Sequence, residues 1–421
     1  MKVLRYLFLA VIAISCSLVA NAQNTTSPYS MFGYGVLNDY ATSSQRAMGG
    51  VGYAMSGGRQ INVMNPASYA AIDSLTFLWD MGVDVSMLSS KESETDLKAN
   101  SAGGGLDYIT MQFPIAKIMG ASIGLVPYSS VGYQFGGDIA NGSQVRNGTG
   151  GLNTLYAGFS IMPVKGLSAG FNIGYLFGTN INDSYAYSDD GTTSLFERVM
   201  KVRSWDLSVG AMYSLNLNKK NKVTVGATYT PKKSLHGETW GAYYNVTNDT
   251  RQDTIGFTSL KGLNHTPESW GGGISYEYDN RLFVEADYSY QKWSEVGYAK
   301  LEGFESMSNY SFDNRWKAAL GAQFTPNQRG KYFSRVAYRL GAYYCHDYLN
   351  IEKMGSSNNV HEYGVSCGIG LPAPSSKTMI NIGFEYKHRA TSPVSLITEN
   401  YFNFTLGVNF NQLWFWKNKI D

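Results

Sequence analysis

The sequence predicts an all-β fold: a 14-stranded antiparallel transmembrane β-barrel with an N-terminal hatch in its lumen. Three observations carry this reading. Beyond residue 75, apolar side chains hold one parity across whole strands while glycine and polar residues hold the other, as in Phe402, Phe404, Leu406, Val408 and Phe410 against Asn403, Thr405, Gly407 and Asn409. Lipid on one face and a wet lumen on the other impose this two-residue period. The chain is also rich in aromatic residues, with 31 Tyr, 20 Phe and 8 Trp, which suits interfacial girdles. Finally, residues 27–71 are glycine-dense and aromatic, lack alternation and precede every strand, as a plug inside a closed barrel would.

In chain order, MKVLRYLFLAVIAISCSLVANAQ carries Lys2 and Arg5, an apolar run, and Ala20-Asn21-Ala22 before Gln23. This is a secretory signal over residues 1–22 with an A-x-A site. Cys16 offers a lipidation alternative, but Ala13 stands three residues before it where Leu is usual. The hatch then spans 23–74, the barrel 75–410 and a periplasmic tail 411–421. No apolar run of about 18 residues follows the signal and mean hydropathy is −0.22, so membrane-spanning helices are excluded while barrel strands are not.

Parity places strands at 75–88, 106–115, 120–135, 152–163, 167–178, 200–215, 222–232, 268–278, 281–293, 314–325, 334–345, 359–371, 377–387 and 400–410. Fourteen is an even number, as single-chain outer-membrane barrels require. Connections alternate in length. Ala116 to Met119, Val164 to Gly166, Asp279-Asn280 and Pro372 to Ser376 are short, whereas Gly136 to Gly151, Asn180 to Val199 and Lys233 to Pro267 are long. Short turns face the periplasm in such barrels, so both termini are expected there, in the outer membrane of a Gram-negative cell.

Pro127 interrupts the third strand. It cannot donate to a ladder, and a closed barrel has no edge on which to place it, so a bend or bulge is expected there. Ile123 and Leu125 before it and Val131, Tyr133 and Phe135 after it suggest that side-chain parity carries through.

Several chemistries are excluded. Lys+Arg 34 against Asp+Glu 32, without a basic stripe, argues against a nucleic-acid partner. No Cys/His set has zinc spacing, so no metal or cofactor is expected. Cys345 and Cys367 fall on opposite faces of neighbouring strands and cannot pair. His236, His265, His346, His361 and His388 fall in loops or at strand edges, and none is singled out by an acidic or hydroxyl partner, so no enzyme is expected.

Two marks in the plug are distinctive: Arg46-Ala-Met-Gly49-Gly50, and Asn65-Pro66-Ala67 just before the first strand. In this order, after a signal peptide and before a run of alternating strands, they resemble the N-terminal hatch of the FadL family in its Bacteroidetes form. That resemblance implies a monomeric, passive outer-membrane channel for hydrophobic or amphipathic small molecules, such as long-chain fatty acids. It also implies lateral release into outer-membrane lipid at a kink in the third strand, which here points to Pro127, Tyr128, Ser129 and Ser130. Asn65 and Pro66 would set a turn at the hatch exit.

The inward charges Lys317, Arg339, Glu285, Asp287, Glu385 and Lys387 have two readings. They form a network that props the barrel and holds the hatch, or Arg339 or Lys317 meets a ligand carboxylate whose tail lies on Phe32 and Tyr34. The alternative function is a barrel that docks a periplasmic or secreted protein.

Overall fold

The computed structural model describes residues 27–413, apart from 248–249, 300, 302–308, 354 and 375–376. The signal peptide and residues 414–421 of the tail lie outside the described residues. In chain order the strands are β1 (Val36–Leu37), β2 (Thr76–Glu92), β3 (Lys98–Ala116), β4 (Met119–Ile139), β5 (Gly142–Val164), β6 (Leu167–Ser188), β7 (Thr193–Asn216), β8 (Asn221–Thr230), β9 (Lys233–Ser234), β10 (Gly237–Thr247), β11 (Thr250–Lys261), β12 (His265–Thr266), β13 (Ser269–Tyr278), β14 (Leu282–Gln291), β15 (Tyr310–Phe312), β16 (Arg315–Phe324), β17 (Ala337–Lys353), β18 (Ser356–Pro372), β19 (Met379–Ser392) and β20 (Ile397–Leu413).

Fourteen of these close an antiparallel ring, β2–β8, β13, β14 and β16–β20, sealed where β2 pairs with β20 from Thr76↔Leu413 to Glu92↔Ile397. Their outward side chains form an apolar belt that includes Leu155, Ile173, Leu207, Leu320, Leu340 and Phe384, a continuous surface that water would not cover favourably. Because β2 begins at Thr76, residues 411–413 gain a partner. They belong to the wall and not to the tail.

The strands are longer than parity indicated. β4 to β7 run for 21, 23, 22 and 24 residues, whereas about 9–11 cross a bilayer. The connections 136–151 and 180–199 are therefore mostly continued hairpin, closed by tight turns near residues 140–141 and 189–192. Beyond the belt both faces are wet, so nothing enforces alternation. For the same reason His346, His361 and His388 lie within strands. Cys345 is buried, Cys367 is exposed and both are free.

Residues 27–71 lie inside the lumen. Inward glycines receive them: a Cβ at Gly120 would strike the Tyr69 carbonyl, at Gly170 that of Pro66, at Gly226 that of Tyr53, and at Gly321 that of Met48. Glycine on the inner parity thus lets the hatch backbone lie directly on the wall.

Candidate functional site: the hatch, its clamps and the lumenal cavity

Each hatch motif has a local cause. Helix α1 (Ser43–Arg46) starts at Thr42, whose N–H donates to Gln45 Oε1 at 2.8 Å. Arg46 reaches Asp107 on β3 at 2.7 Å. Gly49 and Gly50 then turn the chain with φ of +73° and +79°, and the Gly49 N–H donates to Ser366 Oγ at 2.8 Å. Asn65 caps the 3₁₀ turn Pro66–Ala71 by accepting from Ala67 N–H at 3.0 Å, and its amide donates to the Tyr53 carbonyl at 2.7 Å. Pro66 and Ala67 are buried against the wall, so this motif is an anchor inside the lumen. The chain leaves the lumen several residues later, at Ile72 to Leu75.

The inward charges hold this hatch. Asp287 Oδ2 accepts from the N–H groups of Gly52 and Tyr53 at 2.6 and 3.0 Å, and Glu285 Oε1 accepts from Ala54 at 2.6 Å. Lys317 and Arg315 bind the hatch carboxylate of Asp39 at 2.5 and 3.2 Å. Burial alone would raise the Asp39 carboxyl, but the charges of Lys317 and Arg315 outweigh it and hold the group well below the usual carboxylate range. Arg339 is buried and donates to Gln323 at 2.8 Å and Asn381 at 2.7 Å. Lys387 stands 3.8 Å from Glu362, and Glu385 accepts from Tyr343 at 2.8 Å. Lys317 is thus directed at Asp39 and Arg339 at wall amides through Nε and Nη1, while the buried Arg339 Nη2 has no hydrogen-bond partner among the described residues.

Phe32 and Tyr34 lie in an aromatic cluster that closes the lumen at the hairpin end. Tyr34 is fully buried, 5.4 Å from the Trp293 ring and 5.3 Å from Tyr298, and Phe32 is 5.3 Å from Tyr310. Tyr348 ties the cluster to the hatch by donating to the Gly35 carbonyl at 2.6 Å. These aromatics pack on one another as a lid.

Below the lid are two cavities. One, of about 90 Å³, is charged and lies among Asp39, Arg46, Arg315, Glu385, Lys387 and Arg389. The other, of about 140 Å³, lies between the hatch and the wall from β4 round to β16, among Tyr40, Tyr128, Thr154, Asp206, Ser289 and Arg315. Sequence reasoning did not identify Asp206 or Tyr40, because one inward Asp and one hatch Tyr carry no pattern of their own.

At Pro127 the wall changes. The β3–β4 ladder ends at Ile109↔Leu125, and β4 continues without β3, keeping its pairing with β5 through a register shift between Pro127↔Asn153 and Ser129↔Leu152. Tyr128 is the extra residue. It reverses the parity, so that Val131, Tyr133 and Phe135 share the inward side with Val126 and oppose the outward Ile123 and Leu125; the expectation that parity carries through is overturned. The edge that β3 leaves is taken by the hatch. β1 pairs Val36↔Ser130 and Leu37↔Ser129, and Asn38 N–H donates to the Tyr128 carbonyl at 2.9 Å. A narrow cleft beside Pro127 shares Asp39, Tyr40, Val63 and Val126 with the larger cavity, so these side chains form the partition between cavity and slot.

Together these features define a hatch-plugged 14-stranded barrel whose wall is parted at its third strand. The chain belongs to the BamG family, whose model matches residues 3–421. Among solved structures it is similar to a FadL homologue of Pseudomonas aeruginosa, with TM-score 0.62 at 13% identity, covering 89% of this chain and 99% of that one. It is also similar to the toluene transporters TodX of P. putida (TM-score 0.61, 13% identity, 90% and 100% covered) and TbuX of Ralstonia pickettii (0.59, 14%, 88% and 98%). At such identity the likeness concerns the fold, and the FadL-like fold expected from the hatch motifs is the one found. No curated protein matches the chain.

Proposed function

We propose that this chain is a monomeric outer-membrane barrel that passes small hydrophobic or amphipathic molecules, passively and without a cofactor. They would pass from the lumenal cavity through the β3–β4 slot into lipid, with both termini in the periplasm. The observation that carries this reading is the parted ladder above Leu125, with hatch strand β1 seated on the freed edge of β4. Such an exit spares an apolar solute re-exposure to water, worth about 25 cal/mol per Å² of its surface. The cavity sets the size. An apolar cavity of about 150 Å³ holds benzene, so ≈ 140 Å³ suits a single ring. Ser130→Trp would plug the slot where β1 sits. Uptake of labelled toluene into proteoliposomes is expected to fall severalfold, and undiminished uptake by a correctly folded variant would overturn the slot as the route.

A second reading, a barrel that docks a periplasmic or secreted protein, is favoured by the flap formed by β10 and β11. β10 extends the upper half of β7, while among the described residues β11 pairs with β10 alone and presents exposed Ile255 and Phe257 beside an open edge. Open edges of this kind accept a further strand. A stoichiometric protein recovered with the native barrel and lost on Ile255→Lys with Phe257→Lys would support docking over uptake.

A further inference from the structure

The larger cavity contains one carboxylate that no side chain answers. Asp206 is inward on β7, opposite Gly174 on β6. Of the cavity's charged lining residues, Asp39 and Arg315 bind each other, and Lys317 reinforces Asp39 from behind. The remaining one is Asp206, for which no ion pair or side-chain partner is found among the described residues. Lys233 is the cation that reaches it electrostatically, and that ammonium donates to the Trp205 carbonyl.

The wall is also loosened at this level. β7 pairs with β8 up to Val209↔Tyr229 and with β10 from Val202↔Gly237, the Arg203 N–H donates to the His236 carbonyl, and residues 204–208 have no ladder on that side. Asp206 lies on this gap in the ladder and lines the cavity.

Its surroundings suit an organic cation. Tyr40, Tyr53, Tyr128 and Tyr156 line the same cavity, and tyrosine rings attract cations through their quadrupole. Tyr40 stays a neutral phenol: burial, with the Asp206 charge next in weight, holds its hydroxyl well above the ordinary value. A carboxylate set among aromatic rings, in a space for one ring-sized solute, is complementary to an ammonium carried on an apolar body.

We propose that this cavity binds a small amphipathic cation, an aryl- or alkylammonium of about benzylammonium size, with its ammonium on Asp206 and its body among Tyr40, Tyr128 and Tyr156. The proposal rests on the reading of the barrel as a small-molecule channel and adds the sign of the ligand's charge.

Full-length barrel in detergent is titrated with benzylammonium, benzyl alcohol and toluene, for wild type, Asp206→Asn and Asp206→Glu, with heat-modifiable gel mobility as the folding control. Benzylammonium is expected to bind wild type at least tenfold tighter than benzyl alcohol. The preference should collapse toward one in Asp206→Asn and persist in Asp206→Glu, which keeps the charge if the Asn variant fails to fold. Equal binding of all three probes, or a preference that survives Asp206→Asn, overturns the cation assignment and leaves the channel reading standing. Absence of binding by any probe overturns both.

Discussion

The two walls of the lumen treat the hatch differently. The wall formed by β14 and β16–β19 grips it with charge: Glu285 and Asp287 take three backbone N–H groups, Lys317 and Arg315 take Asp39, and Ser366 takes Gly49. The wall formed by β4–β8 meets it without an ion pair among the described residues, through the β1–β4 pairing, glycine contacts, the Asn65 anchor and hydrogen bonds from Ser160 and Asn180 to the Ala67 and Tyr34 carbonyls, and it lines much of the larger cavity. The lesson is that a plug can be fixed by charge along one side and by backbone contact along the other, with a cavity left beside it. Opening would then need movement of a few partition side chains rather than expulsion of the whole segment.

The strongest test of this asymmetry removes the grip. Glu285→Ala with Asp287→Ala strands the N–H groups of Gly52, Tyr53 and Ala54, at about 1–3 kcal/mol each where water cannot reach. Conductance and leak of small solutes should rise sharply while the heat-resistant barrel band persists. A tight barrel in this double variant would show that the charged wall is not what retains the hatch.

On the opposite wall the contact is steric. Gly226→Ala sets a Cβ against the Tyr53 carbonyl, a backbone group that cannot swing aside, and should cost roughly 1–3 kcal/mol of hatch docking. Gly272→Ala, whose Cβ would meet only the Gly226 carbonyl at 3.8 Å, should stay within about 0.5 kcal/mol. Protease protection of the hatch, compared between the two variants, separates an inward glycine needed for close approach from a glycine on the outward face of the same sheet.

Asp39 ties the hatch to the charged wall, and its effect depends on pH. Because its folded pKa is depressed, its contribution is fully present above the unfolded value of about 3.9 and is lost only as pH falls well below it. The hatch should therefore stay closed through mildly acidic conditions. Asp39→Asn removes the counter-ion of Lys317 and Arg315, and since Asp39 is 32% exposed the loss should be about 1–2 kcal/mol, below that of a fully buried pair. The variant should leak at neutral pH with no further acid-dependent opening, read as single-channel conductance against pH.

How much of this was legible in the sequence follows from what enforces a pattern. Lipid tolerates no polar face, so all fourteen strands declared themselves through parity, and the hatch declared itself by lacking it. The Glu285 and Asp287 clamps were legible as inward charges, but their targets are backbone N–H groups, which have no sequence signature. Above the belt, Gly142 to Gly151 is strand without alternation because both its faces are wet. The reversal at Tyr128 was hidden because Val131 and Tyr133 are apolar whether they face lipid or a hatch. Phe32 and Tyr34 read as a ligand bed, yet aromatics in a plug pack as readily on loop aromatics such as Trp293 and Phe312.

The smallest expected effect tests the open wall at its most local point. Pro127 contributes no N–H to either neighbour, and it sits two residues beyond the last β3–β4 pair, Ile109↔Leu125. Pro127→Ala restores one donor but leaves Tyr128, the residue that makes the bulge. The inward parity of Val131 and Tyr133 should therefore survive, and thermal stability should change by less than about 1 kcal/mol. What the new N–H can do is extend the ladder toward Asp107 and narrow the slot by one pair. If cargo leaves there, uptake of toluene should slow by about two- to tenfold, the worth of one hydrogen bond that must break at each opening. Deleting Tyr128 should do more, because it returns Ser129 and the residues after it to the original register and removes the reason for β3 and β4 to part. Unchanged uptake in Pro127→Ala together with normal uptake in the Tyr128 deletion would mean that the parted ladder is a shape of the wall and not a route through it.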